Sequence, residues 1–407
     1  MVRALLLIAA LFTAAGNIMA QDVGADPGGG AGIFRAKNPE TKKRATKPAT
    51  TTSASSRVSG GRTTRPTTPG VNERVEDLLG KGNELRDARK FAEAEEAYQG
   101  AAKLKPRDAR AAYGLGNVYS DQQRWENAET AYRNAVQYAP TNADALVALS
   151  VVLVQPRIDG DNAKRFAEAE SFARKAVQID PKNAVGWDRL GVALQSRGLF
   201  NRETEHSHRR AIEVDPEFAV GYVHLARVLN RMGRGSEAAP LYAKAGELAK
   251  DPATLNLIAE SLQGEQQWQA AEPVLKRALE MDSRNPTSLM LMGRYFVAFK
   301  KYQEAEPYLK QATEASPTAF QPHNLLARAY LGLDRLSDAE ASYERAAQFA
   351  SATERKQLAG TFGFEGVGDA YMKARQKESA ARAYQRALEL DPGNKSLEDK
   401  LSRSRTR

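Results

Sequence analysis

The chain has 407 residues, 42% of them apolar, and no cysteine. Disulfides and thiolate metal sites are therefore excluded, while there is ample apolar side chain for packed helices. The formal charge of +9 belongs to the ends: residues 1–70 hold ten basic and three acidic groups, residues 395–407 hold five and two, and the stretch between is about −1. Nucleic-acid binding would want a basic stripe with aromatic platforms on the fold itself, so no nucleic-acid partner is expected.

The N-terminus reads as a secretory signal. Arg3 precedes an apolar run from Ala4 to Ala15, with a cleavage point expected after Ala20. The run is 12 residues long, against the ~20 that a spanning helix needs. An uncleaved signal anchor, reached by counting on to Ala20, is the alternative. Export to the periplasm or the extracellular space is expected either way. The missing disulfide framework favours a bacterial envelope over eukaryotic secretion.

Residues 21–70 are rich in Gly, Thr, Ser, Pro and basic side chains, as in Thr41-Lys42-Lys43-Arg44. With almost no apolar content this linker is expected to be disordered. It serves as a spacer, with weak contact to an anionic envelope surface as a second role.

From residue 71 to residue 394 one template recurs, beginning at residues 75, 109, 143, 184, 219, 252, 286, 320 and 361. Its eighth position reads Gly82, Gly116, Ser150, Gly191, Ala226, Ala259, Gly293, Ala327 and Gly368. A period near 34 residues with small side chains in phase predicts stacked helical hairpins. In the first helix of each hairpin, helix A, bulky residues fall on one face, as with Trp187, Leu190 and Leu194. Ala128, Ala169, Ala271, Ala305, Ala339 and Ala380 supply the notch on helix B. Pro106, Pro140, Pro181, Pro216, Pro317 and Pro392 mark repeat ends.

Three departures stand out. Seven extra residues around Gln155–Gly160 predict a longer loop inside repeat 3. Another seven, Glu354–Gly360, precede repeat 9 and are expected to extend helix B of repeat 8 or helix A of repeat 9. Repeat 4 places Thr204 and His208 where Ala and an aromatic are usual, which reads as a softened core. The basic residues 395–407 read as a tail.

The template Leu115-Gly116-x-x-Tyr119, Ala128, Tyr132, Ala135, Pro140 resembles the tetratricopeptide repeat. The resemblance implies an all-α fold, a right-handed superhelical solenoid of antiparallel helix pairs with nine repeat-like units. It also implies that positions 2, 5, 9, 12 and 13 of each helix A face a concave groove that grips protein segments. Carried onto this chain, the groove is polar at its start, with Asn83, Tyr113, Asn117 and Ser120. It turns apolar at Val147, Val151, Val154, Val192 and Val223, then basic at Arg227, Arg231, Arg294 and Arg328. Such a floor suits a peptide that carries carboxylates. The alternative is that these arginines pair with groove acids such as Glu260. The carboxylate clamp of chaperone-binding members needs Lys and Asn at positions 5 and 9, whereas repeat 1 has Leu79 and Asn83. A co-chaperone role is not supported.

Residues for catalysis are not evident. His206 and His208 would point ~200° apart at ~100° per residue, so they cannot share a metal. His323 falls on a core position, and Gly363-Phe364-Glu365-Gly366-Val367-Gly368 lies in the register of a helix A. No metal-binding, hydrolase or nucleotide motif occurs, so neither a catalytic residue nor a cofactor is expected. The expected function is an exported, non-enzymatic scaffold for a protein or peptide ligand. The alternative is an accessory subunit or scattered-site enzyme of cell-envelope polymer metabolism.

Overall fold

The computed structural model describes residues 36–41, 70–157 and 161–406. The expected signal, most of the basic linker and the tip of the repeat-3 insertion lie outside these residues. The described residues form helices, with no strand among them. They divide into two compact units, residues 1–238 and 239–407. Among the described residues no helix is long and apolar enough to cross a membrane.

Unit 1 contains the pairs α1 (Val71–Asp87) with α2 (Phe91–Leu104), and α3 (Ala109–Asp121) with α4 (Trp125–Tyr138). Next come α5 (Ala143–Leu153) with α6 (Asn162–Ile179), and α7 (Ala184–Ser196) with α8 (Arg202–Val214). It ends with α9 (Ala219–Arg231) and the start of α10 (Gly235–Leu248). Unit 2 holds α11 (Pro252–Gly264) with α12 (Trp268–Met281), and α13 (Pro286–Ala298) with α14 (Tyr302–Ala315). These are followed by α15 (Phe320–Gly332) with α16 (Leu336–Phe349), a short α17 (Ala352–Ala359), α18 (Phe364–Lys373) with α19 (Lys377–Leu390), and α20 (Lys395–Arg405).

What fills the space above four of the eighth-position glycines is a ring, while Leu309 covers Gly293. A Cβ on Gly82 would lie 2.6 Å from the Tyr98 ring, and one on Gly368 would lie 2.5 Å from Tyr384. Tyr132 covers Gly116 in the same way. Tyr98 also packs on Gly114 of the next repeat, where a Cβ would approach to 2.5 Å. One ring thus ties helix B of repeat 1 to helix A of repeats 1 and 2. The cores are dominated by buried alanines, leucines and valines, with tyrosines set among them.

The turn between helices A and B repeats a second device. Arg89, Gln123, Gln266, Lys300, Asp334 and Arg375 all have left-handed backbones, with φ between 55° and 61°. Gly198 and Gly233 occupy the same place in repeats 4 and 5, with φ 76° and 77°. The following N–H reaches back to close the helix, as Lys301 does to the Phe296 carbonyl at 2.9 Å.

Three expectations need correction. The residues before repeat 9 extend neither neighbouring helix; they form α17, cut off by a capping box. Ser351 Oγ accepts from the Glu354 N–H at 3.3 Å, and the Glu354 carboxylate accepts from the Ser351 N–H at 2.8 Å. Gly363 is the cap that precedes α18 and is not inside it. The stretch 395–407 is no loose tail over its described part. Helix α20 buries Leu397 and Leu401 against the last repeat, as a terminal unit must to close the core.

Candidate peptide-binding groove

Residues 36–41, expected to belong to a disordered spacer, lie on the helix-A face of repeats 1 and 2. Four of their main-chain carbonyls are held. Arg86 Nη1 donates to Ala36 at 2.7 Å, and Asn117 Nδ2 donates to Lys37 at 2.9 Å. Asn83 Nδ2 donates to Pro39 at 3.0 Å, and Arg110 Nη1 donates to Glu40 at 3.1 Å. Ala36 and Pro39 are buried, while Lys37 and Glu40 are exposed. Asn38 is read through its side chain. Its Oδ1 accepts from Arg86 at 2.9 Å, and its Nδ2 donates to Asp87 at 2.9 Å.

Each donor is fixed from behind. The Tyr98 hydroxyl donates to Asn83 Oδ1 at 2.7 Å, and Tyr132 donates to Asn117 Oδ1 at 2.9 Å. This turns each amide so that its N–H faces outward. Both pairs are 15 residues apart, so repeats 1 and 2 carry the same tyrosine–asparagine unit in the same register. Arg86 is only 1% exposed. Burial alone would lower its affinity for a proton, but a two-point pairing with Asp121, at 2.7 and 3.1 Å, raises it instead. Arg110 is steadied by Asp108 at 2.8 Å and Glu76 at 3.0 Å. The segment itself supplies two of the acceptors on Arg86 Nη1, the Ala36 carbonyl and Asn38 Oδ1, beside the Asp121 carboxylate on Nε and Nη2.

The remaining expected groove residues fare unevenly. Asn83 and Asn117 bond the main chain of residues 36–41, and Tyr113 shares an apolar cluster with Ala36. Val151 is 2% exposed and offers a partner almost no surface, while Val192 is half-buried. In unit 1, Arg227 is half-buried, and Arg231 lies 5.8 Å from the centre of the Phe200 ring. In unit 2, Arg294 donates to Gln263 Oε1 at 2.5 Å. Arg328 lies over Phe362, 4.9 Å from the ring centre, and that ring is 63% exposed. Sequence reasoning did not single out Arg86 and Arg110, although they occupy positions 12 and 2 of their repeats.

Repeat 4 fills its odd positions with a buried hydrogen-bonded network. His208 packs on Gly191 where repeats 1, 2 and 9 use tyrosine. Asp188 Oδ1 accepts from His208 Nδ1 at 2.9 Å and from His224 Nδ1 at 2.8 Å. Gln195 donates to His208 Nε2 at 2.6 Å, and Thr204 donates to the Leu199 carbonyl at 2.6 Å. Asp188, His208 and His224 are buried, and their ligand-type atoms lie within 4.8 Å of one another. With both Nδ1–H groups spent on one carboxylate oxygen, the trio is a hydrogen-bonded network and offers no common face to an ion. Burial lowers the proton affinity of His224 against the opposing pull of Asp188. Burial would raise that of Asp188, but His224, Arg189 and His208 hold it well below the ordinary carboxylate range. His206 is exposed against Trp187, away from His208. His323 is packed beside Phe349, with its Nε2 3.1 Å from the Pro317 carbonyl.

A family model described as tetratricopeptide repeat matches residues 79–143, 116–184 and 256–320. Two others with the same description match residues 296–355 and 363–394. No curated protein matches the sequence. Among solved structures, TTC0263, a tetratricopeptide-repeat protein of Thermus thermophilus, is 23% identical with a TM-score of 0.41, covering 46% of this chain and 99% of its own. YrrB, described as a tetratricopeptide-repeat protein with an unusual peptide-binding site, is 20% identical with a TM-score of 0.36, covering 46% and 90%. The Cut9–Hcn1 hetero-tetramer is 13% identical with a TM-score of 0.42, covering 83% and 90%. Together the family models span more than half of the chain, and the helix pairs, the glycine–ring contacts and the repeat register agree with them. The chain belongs to the tetratricopeptide-repeat family, whose helical arrays are protein-interaction scaffolds and typically not enzymes.

Proposed function

We propose that this protein is an exported, non-enzymatic scaffold that holds an extended segment of a partner protein on its helix-A face. The observation that carries this reading is the set of four donors on main-chain carbonyls in repeats 1 and 2. Main-chain recognition supplies affinity with little demand on sequence, and the flanking side-chain contacts then select. Arg227 and Arg231 in unit 1, and Arg328 beside Phe362 in unit 2, favour a partner that brings carboxylates. The N-terminal apolar run supports export, with the basic linker as spacer.

The test is capture from an envelope extract by the purified full chain. Partner capture is expected to fall when Asn83 and Asn117 become alanine, and to fall again when Arg227, Arg294 and Arg328 are reversed in charge. Retention of every partner by both variants would refute the groove reading. Export is checked separately by intact mass, which should lack residues 1–20 if the signal is cleaved.

A further inference from the structure

We infer, granting that repeats 1 and 2 bind peptides, that the groove is built around a ligand of the form Ala-x-Asn-Pro, and that the chain's own residues 36–41 are its resident competitor. The segment fills the site in cis. A partner segment must displace it, so binding at repeats 1 and 2 is gated by the strength of this self-ligand.

The contacts distinguish this seat from an incidental crossing. Ala36 enters an apolar cluster with Ala112 and Tyr113, and it is only 6% exposed. A larger side chain would have to push that cluster apart. Asn38 has its acceptor on Arg86 and its donor on Asp87. An aspartate there would place a like charge beside Asp87, and a leucine would remove both the Arg86–Oδ1 and the Nδ2–Asp87 hydrogen bonds. Pro39 is buried and cannot donate a main-chain N–H, so its burial leaves no orphan donor. The exposed Lys37 and Glu40 are free to vary, because only their carbonyls are used. The ligand class is therefore an extended peptide with a small residue, any residue, Asn and Pro in that order.

The tyrosine-backed asparagine is confined to this place in unit 1. At the ninth position, repeats 3, 4 and 5 have Val151, Val192 and Arg227 in its stead. In repeat 9 the same geometry recurs in acidic form. Tyr384 donates to Asp369 at 2.6 Å, and Lys400 of the terminal helix closes that carboxylate at 2.7 Å. The peptide-reading version thus coincides with the repeats that hold the segment.

A cis occupant is consistent with chain length. Between Thr41 and Gly70 lie 28 residues, which can span on the order of 90 Å at ~3.3 Å each. A ligand tethered at that range competes at on the order of millimolar effective concentration. A free peptide of ~50 μM affinity would then be weakened by roughly tenfold or more by the occupied site.

The experiment titrates a fluorescein-labelled synthetic peptide of residues 34–43 against the full chain, read by anisotropy. The wild type is compared with the same chain carrying Asn38→Ala and Pro39→Ala, whose own segment no longer competes. The variant is expected to bind the peptide at least tenfold more tightly. Adding Asn117→Asp to that variant should abolish the gain. This substitution keeps an oxygen for Tyr132 and replaces the N–H that serves the Lys37 carbonyl, so it isolates recognition from packing; circular dichroism of each chain checks the fold. Equal binding by wild type and variant, sensitive to Asn117→Asp in both, would overturn the self-ligand and leave the peptide-binding groove standing. Binding that ignores Asn117→Asp in both chains would overturn both. A wild type that sediments as a dimer and becomes monomeric with Asn38→Ala and Pro39→Ala would place a second copy's segment in the groove, contradicting the cis assignment.

Discussion

The glycine at the eighth position makes room for the helix-B side chain above it, a ring over Gly82, Gly116, Gly191 and Gly368, and what that ring does differs from repeat to repeat. Tyr98 and Tyr132 aim an asparagine at a passing main chain, Tyr384 serves a carboxylate, and His208 joins Asp188 and His224 in a buried network. The last case carries a pH consequence. Burial lowers His224 below its ordinary 6.5, so the unfolded chain takes up this proton before the folded chain does. Its contribution is intact above 6.5 and is lost as the pH falls below that value. Asp188, also lowered, adds a second loss in the same direction once the pH drops below 3.8. Denaturant midpoints of the wild type should therefore decline from pH 7 to pH 5, by up to ~1.4 kcal/mol per pH unit for one proton. His224→Gln should cost about 1–3 kcal/mol at pH 7.5, because Asp188 loses a donor, and should flatten the decline. An equally steep decline in the variant would remove His224 from the explanation.

At the scale of the element, the turn between helices A and B is the most uniform feature of the repeat and the least visible in the sequence. Gly198 and Gly233 give it away in repeats 4 and 5, but six other repeats put Arg, Gln, Lys or Asp in the same left-handed backbone. Those side chains carry no local signal for the turn, because the closing hydrogen bonds are made by the backbone. Lys300, exposed with φ 58°, gives the direct test. Lys300→Gly should raise stability by about 0.5–1 kcal/mol, since the strain removed exceeds the entropy that glycine adds to the unfolded chain. A lower denaturant midpoint would contradict this. The short α17 is legible in its own residues. Ser351 and Glu354 spell a capping box, yet the repeat register draws attention to the helices on either side. Helix pairs, their order and the eighth-position notch are readable because each recurs with period and pattern. The Asp188–His208–His224 network is not, since its members come from three helices that only packing brings together.

For the molecule as a whole, the decisive feature joins residues far apart in sequence. The segment 36–41 lies in a stretch whose composition speaks for a spacer, and nothing local in it announces a seat 80 residues away, at Asn117. The donors themselves are half legible. Asn83 and Asn117 follow from the family register, and Arg86 and Arg110 stand at groove positions of the same register. Their role is hidden by the missing occupant, because a donor set aimed at carbonyls has no meaning until a main chain is placed against it. The absence of cysteine makes the central claim, that repeats 1 and 2 hold an extended main chain, open to one clean measurement. Spin labels at Lys37→Cys and Lys103→Cys of the full chain, both exposed sites, report the distance between the segment and α2 by pulsed electron resonance. A single narrow distance distribution is predicted for the otherwise native chain, broadening when Asn83 and Asn117 are both changed to alanine. A broad distribution in the native background, unchanged by those substitutions, would contradict the account.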